Sequence, residues 1–391
     1  MTLPFIVSTV FFVGALLVIT WLHTQSWLEI ATPPVPPPAA GPRVSIIVPA
    51  RNEEKNILRC VEALLAQDYP NYEVIVLEDR STDATSAILT EIAAHESRLV
   101  ILPGTELPAG WAGKPHALYQ AARSAAGDWL LFVDADTFLV PNALSACLAS
   151  AHLTGADLYT VMTEQILGSF WEKTIMPLVM TALSVGFSPK KVNDPKTRDA
   201  IANGQFILIK RTVYTAIGGH EKLHNQIVED KAISEQVKWN GYRLIVADGR
   251  GVARTRMYTD LPSMWEGWTK NIYLGLADRP AMLLLGAFGA FLALMAALFM
   301  PIWPLLGLIW YSKDGSWMAL LVILQALLIW ADIIIYRANV AQKMGISRWY
   351  ALTTPLGAGV FAAMMMTSAW KVLSGQGVTW KGRTYDPKVV R

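Results

Sequence analysis

Two short acidic strings, Asp134-Ala135-Asp136 and Glu229-Asp230, together with Lys114 and Asp79, are the residues here whose types and spacing could do chemistry. Two carboxylates one residue apart on a loop can hold a hard divalent cation, Mg2+ or Mn2+, while substrate phosphate oxygens fill the remaining positions. Glu229-Asp230 opens the string "VEDKAISEQVKWNGYRL". Acids in a first helical turn either offset the helix dipole or supply a carboxylate base. Lys114 follows Gly110 and Gly113 in "PAGWAGKPHALYQAA". A lysine beside glycines at a helix N-terminus suits a phosphate, through its charge and the free backbone N–H groups; an ordinary surface lysine in a loop would read the same way. Asp79 in "DRSTDATSAI" is either a helix N-cap or, if Ser81 or Asp83 caps instead, free to accept hydrogen bonds from a ligand.

A competing chemistry is spelled by His220-Glu221-Lys222-Leu223-His224, a match to the H-E-x-x-H zinc pattern. That pattern needs both histidines on one helix face, one turn apart. Here Gly218-Gly219 directly precedes His220 and Asn225 follows His224, which is a turn context. The zinc-protease reading therefore fails.

The acids at 79, 134 and 136 are useful only if regular elements bring them together. Arg43–Ala50 ("RVSIIVPA"), Glu73–Glu78 ("EVIVLE"), Leu99–Leu102 and Trp129–Val133 ("WLLFV") are apolar, β-branched or aromatic runs separated by helical patterns. This alternation predicts βαβ units and a parallel sheet buried on both faces. Ligands of such sheets bind outside the carboxyl ends of the strands. Those ends carry Arg51 and Glu53, then Asp79, then Asp134 and Asp136. No G-x-G-x-x-G follows the first strand, which disfavours a dinucleotide. Ala202–Lys210 reads as a further strand, and Glu229-Asp230 starts an amphipathic helix with Ala232, Ile233, Val237 and Trp239 available to bury.

The strings "SIIVPARNEEKNI", "VIVLEDRSTDATSAI", "GKPHAL", "FVDADT", "GGHEKLHNQIVEDKAIS" and "WEGWTKN", in this order, resemble membrane-associated family 2 glycosyltransferases, in particular the hopene-associated, ceramide and carotenoid branch. The resemblance implies an α/β GT-A nucleotide-diphospho-sugar transferase domain, with a Rossmann-like mixed sheet, and inverting transfer assisted by a divalent metal. By the same resemblance Pro49, Ala50, Arg51, Glu53 and Asp79 line the nucleotide, Lys114 faces the diphosphate and Asp134 lies beside the ribose. Asp136 binds the metal, and Asp230 of the Glu229-Asp230 pair is the base. Processive relatives carry a Q/R-x-x-R-W string; only Trp265–Asn271 stands in its place, with Trp268 and Lys270 on the expected acceptor or diphosphate side. That departure speaks against a polysaccharide synthase exporting a glycan. The implied reaction moves a sugar, with UDP-sugars foremost, to a hydroxyl of a hopanoid, carotenoid or sphingolipid-like membrane lipid.

Hydropathy fits a membrane enzyme. Hydrophobic residues make up 53% and charged ones 16% of the chain, a deficit of charge concentrated at the two ends. Pro4–Leu22 is uncharged and long enough to cross a core of roughly 30 Å, so residues 1–23 are expected to form a retained transmembrane anchor. Residues 24–42, with "TPPVPPPAAGP", form a stiff Pro-rich linker. Residues 43–280 are expected to hold the catalytic domain, 281–371 two to three membrane spans, and 372–391 a basic tail. Ala281–Tyr311 is too long for one straight crossing and too short for two, so Pro301 and Pro304 are expected to split it. Trp317–Tyr336 and Tyr350–Trp370 are the other blocks. Arg337, Lys343 and Arg348 lie between them, and positive-inside places that loop, with the catalytic domain, in the cytoplasm. Ile166–Phe187 reads as a buried core helix or an interfacial amphipathic one.

The net charge of +2 leaves no footprint for a nucleic acid. Cys60 and Cys147 make neither a disulfide framework nor a cysteine zinc cluster. A transporter with a nucleotide-binding domain would need intramembrane charges, and Asp332 stands nearly alone there. Sugar, nucleotide, acceptor and oligomeric state are not legible.

Overall fold

The computed structural model describes residues 3–24, 41–276, 289, 302–380 and 383–385. The Pro-rich linker, most of Ala281–Tyr311 and the end of the basic tail lie outside the described residues. The chain forms two compact units, one of Ser26–Ile166, Phe187–Met257 and Lys388–Arg391, the other of Met1–Gln25, Leu167–Gly186 and Tyr258–Pro387. This division differs from a single 43–280 domain, because residues 167–186 and 258–276 pack with the apolar helices.

The first unit is built on an eight-stranded sheet in the order β3-β2-β1-β4-β7-β6-β8-β5. Its strands are β1 Val44–Ala50, β2 Tyr72–Glu78, β3 Leu99–Pro103, β4 Trp129–Phe132, β5 Thr137–Leu139, β6 Leu158–Gln165, β7 Ile207–Lys210 and β8 Leu244–Thr255. The first four pair in parallel, whereas β7 runs antiparallel to β4 and β6. The sheet is therefore mixed beyond the parallel half that the run spacing predicts. Alternate residues of β1 face opposite cores: Val44, Ile46 and Val48 join one apolar layer and Ile47 the other, as the period of two requires.

Helices cover both faces: α2 Ile57–Leu65, α3 Thr85–Ala93, α4 Gly113–Ser124 and α5 Ala143–Thr154. After β6 come α6 Phe170–Gly186, α7 Pro189–Asn193, α8 Arg211–Ala216, α9 Gly219–Lys222 and α10 Glu229–Trp239, of which α6 belongs to the second unit. The order reverses between β1 and β4, and the β1–β4 ladder ends at Ile47–Phe132. Pro49, which has no N–H to donate, comes after that ladder has ended. The two strands part there and leave a crevice at their carboxyl ends, the place where ligands of such sheets bind.

The second unit holds an N-terminal helix, Leu3–His23, with α11 Leu261–Leu276, α12 over residues 302–314, α13 Trp317–Lys343 and α14 Thr354–Leu373. Among the described residues three segments are long and apolar enough to cross a membrane: Leu3–His23, Trp317–Lys343 and Arg348–Lys371. Ser8 donates to Gln325 at 2.6 Å, while the His23 ring meets Tyr336 edge-on at 5.2 Å. Contacts that advance along both helices together make the N-terminal helix parallel to α13. The expected loop after Tyr336 is in fact a further stretch of α13. Ala, Val, Gln and Lys are compatible with a helix, which stops only where Gly345 takes a left-handed φ of 68°. Arg337 and Lys343 are thus helical, and Arg337 is buried. Pro355 does not break α14, because it falls in the first turn. Gly357 is where α6 comes closest, since a Cβ there would lie 2.8 Å from the Thr174 carbonyl oxygen.

Candidate active site

The carboxyl ends of β1 and β2 are laced into one rim. Asn52 N–H donates to Ser81 Oγ at 3.0 Å, and the Asn52 amide oxygen accepts the Thr82 N–H at 2.8 Å. The Glu54 N–H donates to the Asp83 carboxylate at 3.1 Å, and the Glu54 carboxylate accepts the Ala84 N–H at 3.1 Å. Asn52 and Arg80 both sit at φ 54°, left-handed backbone that few non-glycine residues adopt. Strain of this kind persists only where the surroundings enforce it, and it clusters at ligand sites.

The cap position of α3 is Ala84, five residues past Asp79, and Asp83 accepts the Thr85 N–H beside it at 3.0 Å. Asp79 does not cap. Its carboxylate lies 3.6 Å from Arg51 Nη1 and 3.7 Å from Arg80 Nε. Arg51 also donates to the Asp79 carbonyl at 2.9 Å. Glu53 sits on the same rim, its N–H held by Thr85 Oγ1 at 2.8 Å. Pro49 and Ala50 end β1 beneath it.

Lys114 occupies the second position of α4. The start of that helix is fixed by the Ala112 N–H, which donates to the His224 carbonyl at 2.7 Å. Lys114 Nζ lies 2.6 Å from Asp134 Oδ1 and 2.6 Å from Glu229 Oε1. The Glu229 side chain is 6% exposed and that of Asp134 28%, so the ion-pair chain opens outward at the Asp134 end. Burial works against the Lys114 ammonium. Asp134, Glu229 and Asp230 outweigh it and hold the pKa well above the usual lysine range.

Asp230, next along α10, accepts the Gly204 N–H at 3.1 Å and the Lys231 N–H at 2.7 Å. Burial, and then the Glu229 charge, push its pKa up to about 6, partly offset by Lys114 and the two backbone N–H groups. A carboxylate poised there is matched to taking a proton near neutral pH. Asp136 lies one residue past the buried Ala135, with its carbonyl accepting Thr255 Oγ1 at 3.2 Å.

Two residues of this cluster escape sequence reasoning. Ala202–Lys210 reads as one strand, but β7 begins only at Ile207. Asn203 donates through its side chain to the Val161 carbonyl at 3.1 Å and folds the chain into a turn. That turn presents the Gly204 N–H to Asp230. A Cβ on Gly204 would lie 3.0 Å from Lys114 Nζ and 3.3 Å from Asp230 Oδ2. Gln205 extends the turn to Thr255, 3.4 Å away, and hence to the Asp136 loop. The available signal was the Asn-Gly pair, which marks a turn. Gly204→Ala should displace both groups by tenths of an ångström. We expect kcat/KM to fall about tenfold, in line with the sensitivity of catalysis to misplaced groups, with thermal stability nearly unchanged; unaltered steady-state kinetics would show that the close approach is incidental.

His220 and Glu221 form no metal site. His220 is buried, its Nδ1 lies 2.9 Å from Tyr214 Oη, and burial pushes its pKa down to about 3. Of the remaining sequence expectations, Trp268 and Lys270 lie on α11 in the helical unit. Trp268 is buried, and its ring packs against Tyr258 with centroids 6.1 Å apart. Trp239, expected on the buried side of α10, is exposed, and its Nε1 donates to the Arg198 carbonyl at 3.2 Å.

Among the described residues no group of three or more His, Cys, Asp or Glu could hold a metal by itself. Asp134 and Asp136 supply two hard oxygen donors on one loop. This suits a Mg2+ or Mn2+ whose remaining positions are filled by phosphate oxygens.

Residues 45–218 match the family described as Glycosyl transferase family 2. A 4,4'-diaponeurosporenoate glycosyltransferase of Staphylococcus aureus strain MRSA252 is 29% identical over 350 residues, 88% of each chain. Among solved structures, a mannosyltransferase from Pyrobaculum calidifontis in complex with GDP-Man and Mn2+ superposes with a TM-score of 0.54 at 20% identity. That match covers 95% of this chain and 98% of the other. The mixed sheet with its flanking helices is the GT-A fold.

Proposed function

We propose that this chain, a glycosyltransferase with a family 2 domain over residues 45–218, moves a sugar from a nucleotide-diphospho-sugar to a membrane lipid with inversion at the anomeric carbon. The observation that carries the reading is the convergence of Asp134, Lys114, Glu229 and Asp230 through contacts of 2.6 Å at Lys114 and the Gly204 turn at Asp230.

Arg51, Glu53 and Asp79, with Pro49 and Ala50, receive the nucleotide. Asp134 lies toward its ribose. The Lys114 ammonium, exposed at its Asp134 side, meets the diphosphate, where negative charge grows as the anomeric C–O bond breaks. A preorganised cation in such a recess stabilises that charge without reorganisation. Asp230 accepts the acceptor hydroxyl's proton as oxygen forms the new bond to the anomeric carbon, and the bonding pair of the old C–O bond leaves with the nucleoside diphosphate. Glu229 acts through its neighbours, anchoring Lys114 and raising the basicity of Asp230.

Asp136, with the donor's own phosphates, would hold a Mg2+ or Mn2+, which supplies further neutralisation of the leaving group. Dialysis against EDTA is expected to abolish transfer and Mn2+ or Mg2+ to restore it, with Asp136→Asn needing a higher metal concentration; full turnover in the chelated enzyme would remove the metal from the scheme.

The acceptor assignment rests on two supports. The Staphylococcus relative takes a carotenoid-derived acceptor by its name, and three helices suit a bilayer. The parallel course of Leu3–His23 and α13 puts His23, Arg337 and Lys343 at one end. By the positive-inside tendency that end faces the cytoplasm, with the catalytic domain following from it. Mass spectrometry of lipid extracts from cells with and without the chain tests the acceptor: a hexose-shifted polyisoprenoid or carotenoid species should vanish with the gene. An unchanged lipid profile beside a missing soluble or exported glycan would refute it.

A further inference from the structure

Asp79 and His116 are each more than nine-tenths buried, at 8% and 6% exposure, and each keeps unused hydrogen-bonding capacity. The Asp79 carboxylate has guanidinium groups at 3.6 and 3.7 Å, beyond hydrogen-bonding range, and accepts no hydrogen bond among the described residues. His116 lies on α4, its ring meeting the Trp111 indole edge-on at 5.2 Å.

The neighbours of His116 fix where its proton sits. Thr105 donates its N–H at 3.0 Å and its hydroxyl at 2.8 Å to the Gln120 amide oxygen, which sets the orientation of that amide. The Gln120 NH2 therefore donates to His116 Nδ1 at 3.1 Å. A ring nitrogen that accepts carries no proton, so the neutral imidazole carries it on Nε2. Burial lowers the His116 pKa, opposed by the Asp79 charge and aided by Arg80, and the ring is neutral near pH 7. Nε2–H is thus a committed donor, and among the described residues nothing accepts from it. Neither this atom nor the Asp79 oxygens are sealed off from the surface.

A short chain of contacts brings this donor and acceptor to one side of the crevice. Gly104 N–H donates to the Glu78 carbonyl at 2.8 Å, and a Cβ on Gly104 would lie 2.9 Å from Asp79 Cα and 3.2 Å from Asp79 Oδ1. Thr105, the next residue, holds Gln120, and Gln120 holds His116. A carboxylate only accepts and this Nε2–H only donates. Their joint complement is a planar edge with a ring N–H beside a carbonyl oxygen. Uracil has it at N3 and O4, guanine at N1 and O6. Cytosine and adenine carry a ring acceptor and an amine at those positions, so both contacts invert. We propose that His116 Nε2–H donates to the exocyclic carbonyl oxygen of a uracil or guanine base whose ring N–H Asp79 accepts, and so determines which donor nucleotides bind. This rests on the reading of the rim around Asp79 as the nucleotide site. Gln120 and Thr105 are then positioning residues that hold the tautomer.

Isothermal titration calorimetry on the full chain in dodecyl maltoside with Mg2+ compares UDP with 4-thio-UDP, GDP with 6-thio-GDP, and both with CDP. Sulfur is a poor acceptor but leaves the neighbouring N–H in place. In the wild type, the tighter of UDP and GDP should bind about fivefold better than its thio analogue, as one neutral hydrogen bond is worth, and about tenfold or more better than CDP. His116→Asn keeps an acceptor for Gln120 at the Nδ1 position and loses the outer donor, so oxygen and sulfur forms should bind it equally. His116→Gln, whose amide N–H reaches the Nε2 position, should restore most of the difference. A merely structural role would change the affinities together and leave their ratio alone. Should His116→Asn fail to fold, His116→Phe, which keeps a ring against Trp111, takes its place. Equal wild-type binding of the oxygen and sulfur forms, a ratio that survives in His116→Asn, or CDP as the tightest ligand overturns the His116 contact and leaves the donor site standing. Binding of none of these nucleotides overturns the nucleotide reading itself.

Discussion

Asp230→Asn should abolish sugar transfer, lowering kcat by about 10²–10⁴-fold as loss of a general base does, while leaving donor affinity within about twofold. The same substitution should stabilise the protein at neutral pH. The Asp230 pKa is pushed up to about 6 by burial and by Glu229. The folded state therefore binds its proton more tightly than the unfolded chain, and this group's contribution to stability is present in acid and lost as pH rises through about 6. Ionised at pH 7.5, Asp230 costs the fold about 3 kcal/mol. Asparagine removes that cost but turns one amide N–H toward a backbone donor, at about 1 kcal/mol. A net gain of about 2 kcal/mol at pH 7.5, absent at pH 4, follows, and thermal unfolding at the two pH values measures it. In the wild type, kcat/KM should rise about tenfold per pH unit below 6 and level off above it. A variant that keeps its turnover, or a flat pH profile, would remove Asp230 from the base role.

Lys114→Ala carries the second large expectation. Three carboxylates, Asp134, Glu229 and Asp230, act on this one ammonium, so its loss leaves them without their cation. Transfer should fall by about 10²–10³-fold in kcat, the usual cost of losing a preorganised charge at a leaving group, and donor binding should weaken as well. Lys114 also lowers the Asp230 pKa. The residual activity should therefore show its acid limb displaced to higher pH than in the wild type, an effect that loosened packing alone would not produce. Lys114→Arg should rescue poorly, because a planar fork does not fit the compact position between Asp134 and Glu229. Steady-state kinetics across pH 5–9 compare the three proteins. An acid limb that stays in place in Lys114→Ala would sever the link between these two groups.

Much of this site is legible in the sequence because strand ends are legible. Arg51, Asp79, Asp134 and Asp136 each follow an apolar β-branched or aromatic run, and a parallel half-sheet brings such ends to one rim whatever lies between them. Lys114 is announced by its glycines. The pairing of Lys114 with Glu229 is not legible, since it depends on how α4 and α10 meet, and neither helix contains a hint of the other. Gly204 escapes for the same reason: its role is a distance to residues 114 and 230, and the apolar run beginning at Phe206 hides the turn. Trp268, placed by analogy on the acceptor or diphosphate side, packs against Tyr258, a contact that no pattern in the sequence announces. Arg337 reads as a loop charge because hydropathy falls at that point, although helix propensity does not.

The most direct test of the converging acids and Lys114 as one donor site is an experimental structure of the full chain with Mn2+ and a non-hydrolysable nucleotide-diphospho-sugar analogue. The diphosphate should lie against Lys114 and Asp136, the base beside Asp79, and the Asp230 carboxylate should face the anomeric carbon. A nucleotide bound elsewhere, with the Asp134–Lys114–Glu229 chain undisturbed, would contradict it.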